Sequence, residues 1–136
     1  MRLAADANVL LSAILGHAAF RAIDEGKVEP LTTLETLKEV EEHLPVLGEK
    51  YGMEPKVLEA NLIALGITAH GPKKYRAKLA EAKRLIEAQD PDDVPLLALA
   101  LTERLPVWTS DNDFKSAGVT TYTTAEHLAK LGIRRS

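Results

Sequence analysis

The chain has 136 residues, 46% apolar and 27% charged, with a formal net charge of −3, which fits one domain over 1–136 with a core of ordinary size. It has no cysteine, so disulfides, thiolate metal sites and cysteine nucleophiles are excluded, and its slight negative charge excludes a molecule that holds nucleic acid by overall attraction. No stretch approaches the roughly 18 uninterrupted apolar residues of a spanning helix, and Asp6 and Asn8 interrupt the apolar N-terminus, so the expectation is a soluble cytoplasmic protein with no membrane partner.

Leu3–Ala5 is predicted as a short buried strand ending at Asp6. A helix is predicted from Asn8 to about Leu15, with Val9, Leu10, Ala13 and Ile14 on one side. A second covers Ala18–Glu25 and stops at Gly26. Val28–Leu31 reads as the next strand. A helix then covers Thr32–Leu44. Thr32 with Glu35, and Thr36 with Glu39, both match the S/T-x-x-E capping pattern. Leu34, Leu37, Val40 and Leu44 form an apolar stripe broken at Glu41, and Pro45 ends or kinks the helix.

Glu54–Leu65 is a further helix, with Pro55 in its first turn and Gly66 beyond its end. Ile67–Ala69 is a brief strand, and Pro72–Ala88 is predicted as one long, strongly charged helix. Asp90 caps the next helix, with Pro91 at its first position and Asp92 and Asp93 in its first turn. Val94–Leu105 follows, so apolar that it belongs at the centre of the fold. Pro106–Trp108 and Val119–Tyr122 are strands around a helical turn at Asp111–Ala117. Thr123 and Glu126 form a capping box for a last helix ended by Gly132. Short strands separated by helices predict an α/β three-layer sandwich, its central, mostly parallel sheet flanked by helices. Ligands of such sheets bind beyond the carboxyl ends of the strands.

Four carboxylates fall where they can reach that end: Asp6, Glu39, Asp93 and Asp111. Each alone has an ordinary explanation. Asp6 can cap a helix, and Glu39 can be a solvated acid beside the apolar stripe. A helix dipole favours Asp92 and Asp93 by about 0.3–1 kcal/mol. Asp111 and Asp113 form a lone D-x-D. Gathered together, however, they would repel unless a cation lay between them. Hard oxygen ligands suit Mg²⁺ or Mn²⁺, and such ions catalyse phosphodiester cleavage. Asn8 and Thr109 are placed to orient neighbouring carboxylates.

Other chemistries find less support. The histidines, His17, His43, His70 and His127, lack ligand spacing and are assigned to surface or caps. There is no Gly-rich phosphate loop and no nucleophile elbow. A phosphatase built on Asp6 would want a second Asp where Asn8 stands.

These residues, in this order, resemble the PIN-domain family of metal-dependent ribonucleases. DANVLLSAI is similar to its opening Asp-x-Asn motif, TTLETLKEVEEHL to its second, DPDDVPLLALAL to its third and WTSDNDF to its fourth. Ala7 departs from the Thr or Ser often found there. The resemblance implies endonucleolytic cleavage of an RNA substrate at an acidic Mg²⁺ or Mn²⁺ site. Asp6, Asp93, Asp111 and Asp113 would hold metal, and Glu39 a second ion or the attacking water. Register leaves Glu35 open beside Glu39, and Asp92 beside Asp93. Many members are toxins of VapBC-type pairs, which implies an antitoxin partner and a homodimer. Lys73, Lys74 and Arg76 are candidate RNA phosphate contacts, with a solvated helix face as the plain alternative. A catalytically inactive PIN-like scaffold that works as a binding partner is the competing reading.

Overall fold

Strand β1 (Arg2–Ala5) sends Leu3 and Ala5 to one side of the sheet and Ala4 to the other, all three fully buried. A strand buried on both faces is the mark of a parallel sheet covered by two helical layers. The computed structural model describes residues 1–126 and has that arrangement. Strands β2 (Glu29–Thr33), β3 (Thr68–His70), β4 (Val107–Trp108) and β5 (Thr121–Tyr122) join β1 in the order β3-β2-β1-β4-β5. Every pairing is parallel, so the sheet is wholly rather than mostly parallel.

Helices α1 (Ala7–Ile14), α2 (Ala18–Asp24), α3 (Leu34–Tyr51) and α4 (Pro55–Ala64) pack on the Leu3 face, where Trp108 is fully buried. Helices α5 (Pro72–Tyr75), α6 (Leu79–Ile86), α7 (Val94–Glu103) and α8 (Asn112–Ser116) pack on the Ala4 face with Leu31 and Val107. As its apolar run demands, α7 buries six residues, Val94 and Leu96 to Ala100.

Four expectations are corrected. First, α3 does not end at Pro45 but runs to Tyr51, where Gly52 closes it at φ 65°. Proline removes one helical hydrogen bond, yet the turns beyond it are held by Leu47 and by Gly48, which is buried against α4. The cap is Thr33, whose hydroxyl accepts from Thr36 N at 3.0 Å, rather than Thr32 or Thr36. The buried stripe is therefore Thr36, Val40, Leu44 and Gly48, and Leu34 is 51% exposed.

Second, the charged segment is not one helix: a 3₁₀ turn at Arg76–Lys78 separates α5 from α6. Lys74 and Lys78 would repel as i,i+4 neighbours on a continuous helix. Here Lys74 pairs with Glu103 at 2.8 Å and Lys78 with Glu81 at 3.6 Å. Third, Pro91–Asp93 is a separate 3₁₀ turn ahead of α7. His70 is also neither surface nor cap, since it is half-buried in β3. The Thr123–Glu126 capping box is present in both directions at 3.1 Å. The rest of the last helix, with His127 and Gly132, lies outside the described residues.

Candidate metal centre

The chain leaves β1 toward β2 on one side and returns to β4 on the other. The carboxyl ends of β1 and β4 therefore flank a topological switch point, where α/β sheets open a crevice. Asp6 stands at the end of β1, its backbone N–H bonded to Trp108 O of β4 at 3.2 Å. Asp6 caps α1, with Oδ1 accepting from Val9 N at 2.9 Å. Its Oδ2 accepts the hydroxyl of Thr109, and Thr109 Oγ1 in turn accepts Asp111 N–H at 2.9 Å. Asp111 caps α8 by accepting from Asp113 N, and Asp90 caps the 3₁₀ turn by accepting from Asp92 N, both at 2.9 Å. The capping roles and the placement at the sheet end hold together.

These helix starts surround an open cleft of about 550 Å³. Asp6, Asp93 and Asp111 line it, with Asn8, Asp90 and Asp92. Glu39 completes the wall, one turn along α3 from Thr36 and on the same face. Glu35 lies instead in an adjoining depression of about 640 Å³, which shares Thr36, Glu39 and Asp92 with the cleft. Of the two register choices, Glu39 lines the cleft with Asp6, Asp93 and Asp111, and Glu35 borders only the depression beside Asp92. Asp92 and Asp93 both line the cleft.

The tightest gathering is Asp90, Asp93, Asp111 and Asp113. One oxygen from each lies within 4.8 Å of all the others. Asp90 was expected only as a cap. Asp90 is the extended cap of the 3₁₀ turn, and the bond from Asp93 N–H to Asp90 O at 3.2 Å keeps the two residues together at the entrance of α7.

The electrostatics match the crowding. Burial, followed by the charges of Asp90, Asp111, Asp6 and Asp113, pushes the Asp93 carboxyl up to about 7. Burial also raises Asp6, against the opposing hydrogen bonds from Thr109 and Val9. Asp113 is raised by burial and then by Asp111. Asp93 Oδ2 is buried and meets no hydrogen-bond partner among the described residues. Crowded carboxylates, one with an orphaned buried oxygen, are the donor set that a hard divalent cation fits.

None of Lys73, Lys74 and Arg76 lines this cleft. Lys74 is bound to Glu103 at the last residue of α7. That is the end opposite Asp93, about 15 Å along the helix axis.

The PIN-domain family model matches residues 5–132. The chain belongs to the PIN-domain family. The fold of this PIN domain is similar to that in the crystal structure of VapBC2 from Rickettsia felis bound to a DNA fragment from their promoter. The TM-score is 0.69, over 90% of this chain and 98% of that one, at 12% identity. No curated protein matches the PIN domain in sequence. No helix among its described residues is long and apolar enough to cross a membrane.

Proposed function

We propose that this PIN domain is a metal-dependent endoribonuclease, the toxin of a VapBC-type pair, with its nuclease unit spanning 1–136. The observation that carries the reading is the gathering of Asp90, Asp93, Asp111 and Asp113 within 4.8 Å, beside Asp6 and Glu39 in the cleft at the switch point. Mg²⁺ or Mn²⁺ bound there would supply Lewis acidity and offset the charge of a phosphoryl group.

The protein's own groups then have distinct tasks. Asp6, Asp93, Asp111 and Asp113 would hold the ion. Thr109 keeps Asp6 and the Asp111 backbone in place through its two hydrogen bonds. Asn8, exposed at the cleft edge, orients a neighbouring carboxylate. Glu39 is exposed on the wall and accepts the proton of the attacking water as its oxygen bonds to phosphorus. The phosphorus–oxygen bond to the leaving nucleotide breaks, and that oxygen takes a proton from solvent. No side chain bonds covalently to RNA. Lys73 and Arg76, which lie outside the cleft, would meet only phosphates distant from the reacting one, and Lys74 is paired with Glu103.

Partnership with an antitoxin and homodimerisation are part of the same reading. The fold likeness to a VapBC2 complex supports the antitoxin partner. A cytoplasmic location fits the absence of cysteine.

The test is cleavage of an RNA oligonucleotide by the purified protein with Mg²⁺ or Mn²⁺, with and without chelator. Internal cleavage that chelator abolishes and Asp93→Asn removes is the expected result. RNA left intact with both ions, or cut equally well in chelator, would sink the proposal and favour the inactive scaffold.

A further inference from the structure

We infer that Asp90 is a direct ligand of the divalent cation in this cleft, in addition to capping the turn that carries Asp93. The inference rests on the metal-dependent reading above. Asp90 Oδ1 is used by Asp92 N–H at 2.9 Å, which leaves the rest of the carboxylate open. A carboxylate has about four lone-pair positions, so one cap bond does not exhaust it. One Asp90 oxygen lies within 4.8 Å of oxygens from Asp93, Asp111 and Asp113, and Asp90 lines the cleft. Asp93, in the same set, carries the buried oxygen without a partner. Asp6 stands beside this set in the cleft, with Val9 N–H and the Thr109 hydroxyl on one oxygen each. The backbone bond from Asp93 N to Asp90 O at 3.2 Å holds the pair in one 3₁₀ turn. A cation at this place therefore meets two carboxylates from the α7 entrance and two from the α8 entrance.

Cap and ligand separate cleanly by mutation, because asparagine caps as well as aspartate does but brings no charge. The experiment is Mn²⁺ binding to the full chain, read by calorimetry and by the electron paramagnetic resonance of free Mn²⁺, with no RNA present. Asp90→Asn should bind Mn²⁺ about tenfold or more weakly than the parent, with an equal or higher melting temperature in chelator. Asp90→Ser keeps a capping oxygen and repeats the test should the first variant fold poorly. Asp93→Asn is the control. If Asp93→Asn loses Mn²⁺ while Asp90→Asn binds like the parent, Asp90 is only a cap and this inference fails alone. If neither variant changes Mn²⁺ affinity, the metal centre itself is wrong and both readings fall.

Discussion

The hydroxyl of Thr109 joins the two halves of the cleft. It donates to the Asp6 carboxylate at the end of β1 and accepts the backbone N–H of Asp111 at 2.9 Å. Asp6 is only 8% exposed, so loss of the hydroxyl leaves a buried acceptor unsatisfied. Such a loss costs about 1–3 kcal/mol. Thr109→Val should lower the urea midpoint accordingly and reduce RNA cleavage, whereas Thr109→Ser should keep most of both. A Val variant as stable and active as the parent would show that this bridge positions nothing.

Asp93→Asn should separate activity from stability. The variant removes one of the mutually repelling charges at a half-buried position, and the Asp93 oxygen it alters has no partner to lose. Cleavage should fall at least about a hundredfold, as when an interaction made in the transition state is lost. The melting temperature in chelator should stay level or rise, by roughly 3–5 °C for each kcal/mol of relieved repulsion. Mn²⁺ should stabilise the parent and not the variant. A variant that melts lower in chelator contradicts the account of the site.

The metal-free protein should lose stability as pH rises. Its folded Asp93 carboxyl titrates at about 7, above the unfolded value near 3.9. Between those values the folded state binds more protons than the unfolded state, so unfolding free energy falls with pH, by at most about 1.4 kcal/mol per unit for this one group. Below that window the penalty is absent. Mn²⁺ affinity should rise over the same range, since the ion competes with the proton. Thermal melts in chelator from pH 4 to 8 check the slope, and a curve that climbs across this window removes Asp93 as its source.

Gly48 is where α3 meets the turn into α4. A Cβ there would stand 2.5 Å from Met53 O, a backbone atom that cannot swing aside. Gly48→Ala should destabilise the fold by about 1–3 kcal/mol, the usual range for overpacking, even though alanine is the better helix former. An unchanged or raised urea midpoint would mean that α3 and α4 part easily at this point.

What was legible in the sequence was what neighbours in the chain decide. Asp6, Asp90 and Asp111 were assigned to helix starts, and each accepts an N–H two or three residues on. The Thr123–Glu126 box is likewise a short-range bond pair. Alternating short strands and helices were enough for a parallel sheet and for the end of it that carries the acids. Those features rest on backbone hydrogen-bond demands that the local residues meet by themselves.

Tertiary packing decided the rest. Pro45 lies inside a helix because the buried contacts of Leu47 and Gly48 outweigh one lost hydrogen bond. Leu34 fits an apolar stripe by spacing, yet it is half exposed because Thr33 starts the helix and turns the stripe to Thr36. Glu39, rather than Glu35, comes to line the cleft with Asp6, Asp93 and Asp111. The pairing of Lys74 with Glu103, 29 positions along the chain, is announced by no local pattern. Asp90 joins the carboxylate set because packing brings Asp111 and Asp113 at the start of α8 to the entrance of α7 that Asp90 caps. Local bonds depend on neighbouring residues and are written in the chain, whereas proximity between distant charges depends on how the helical layers pack against the sheet.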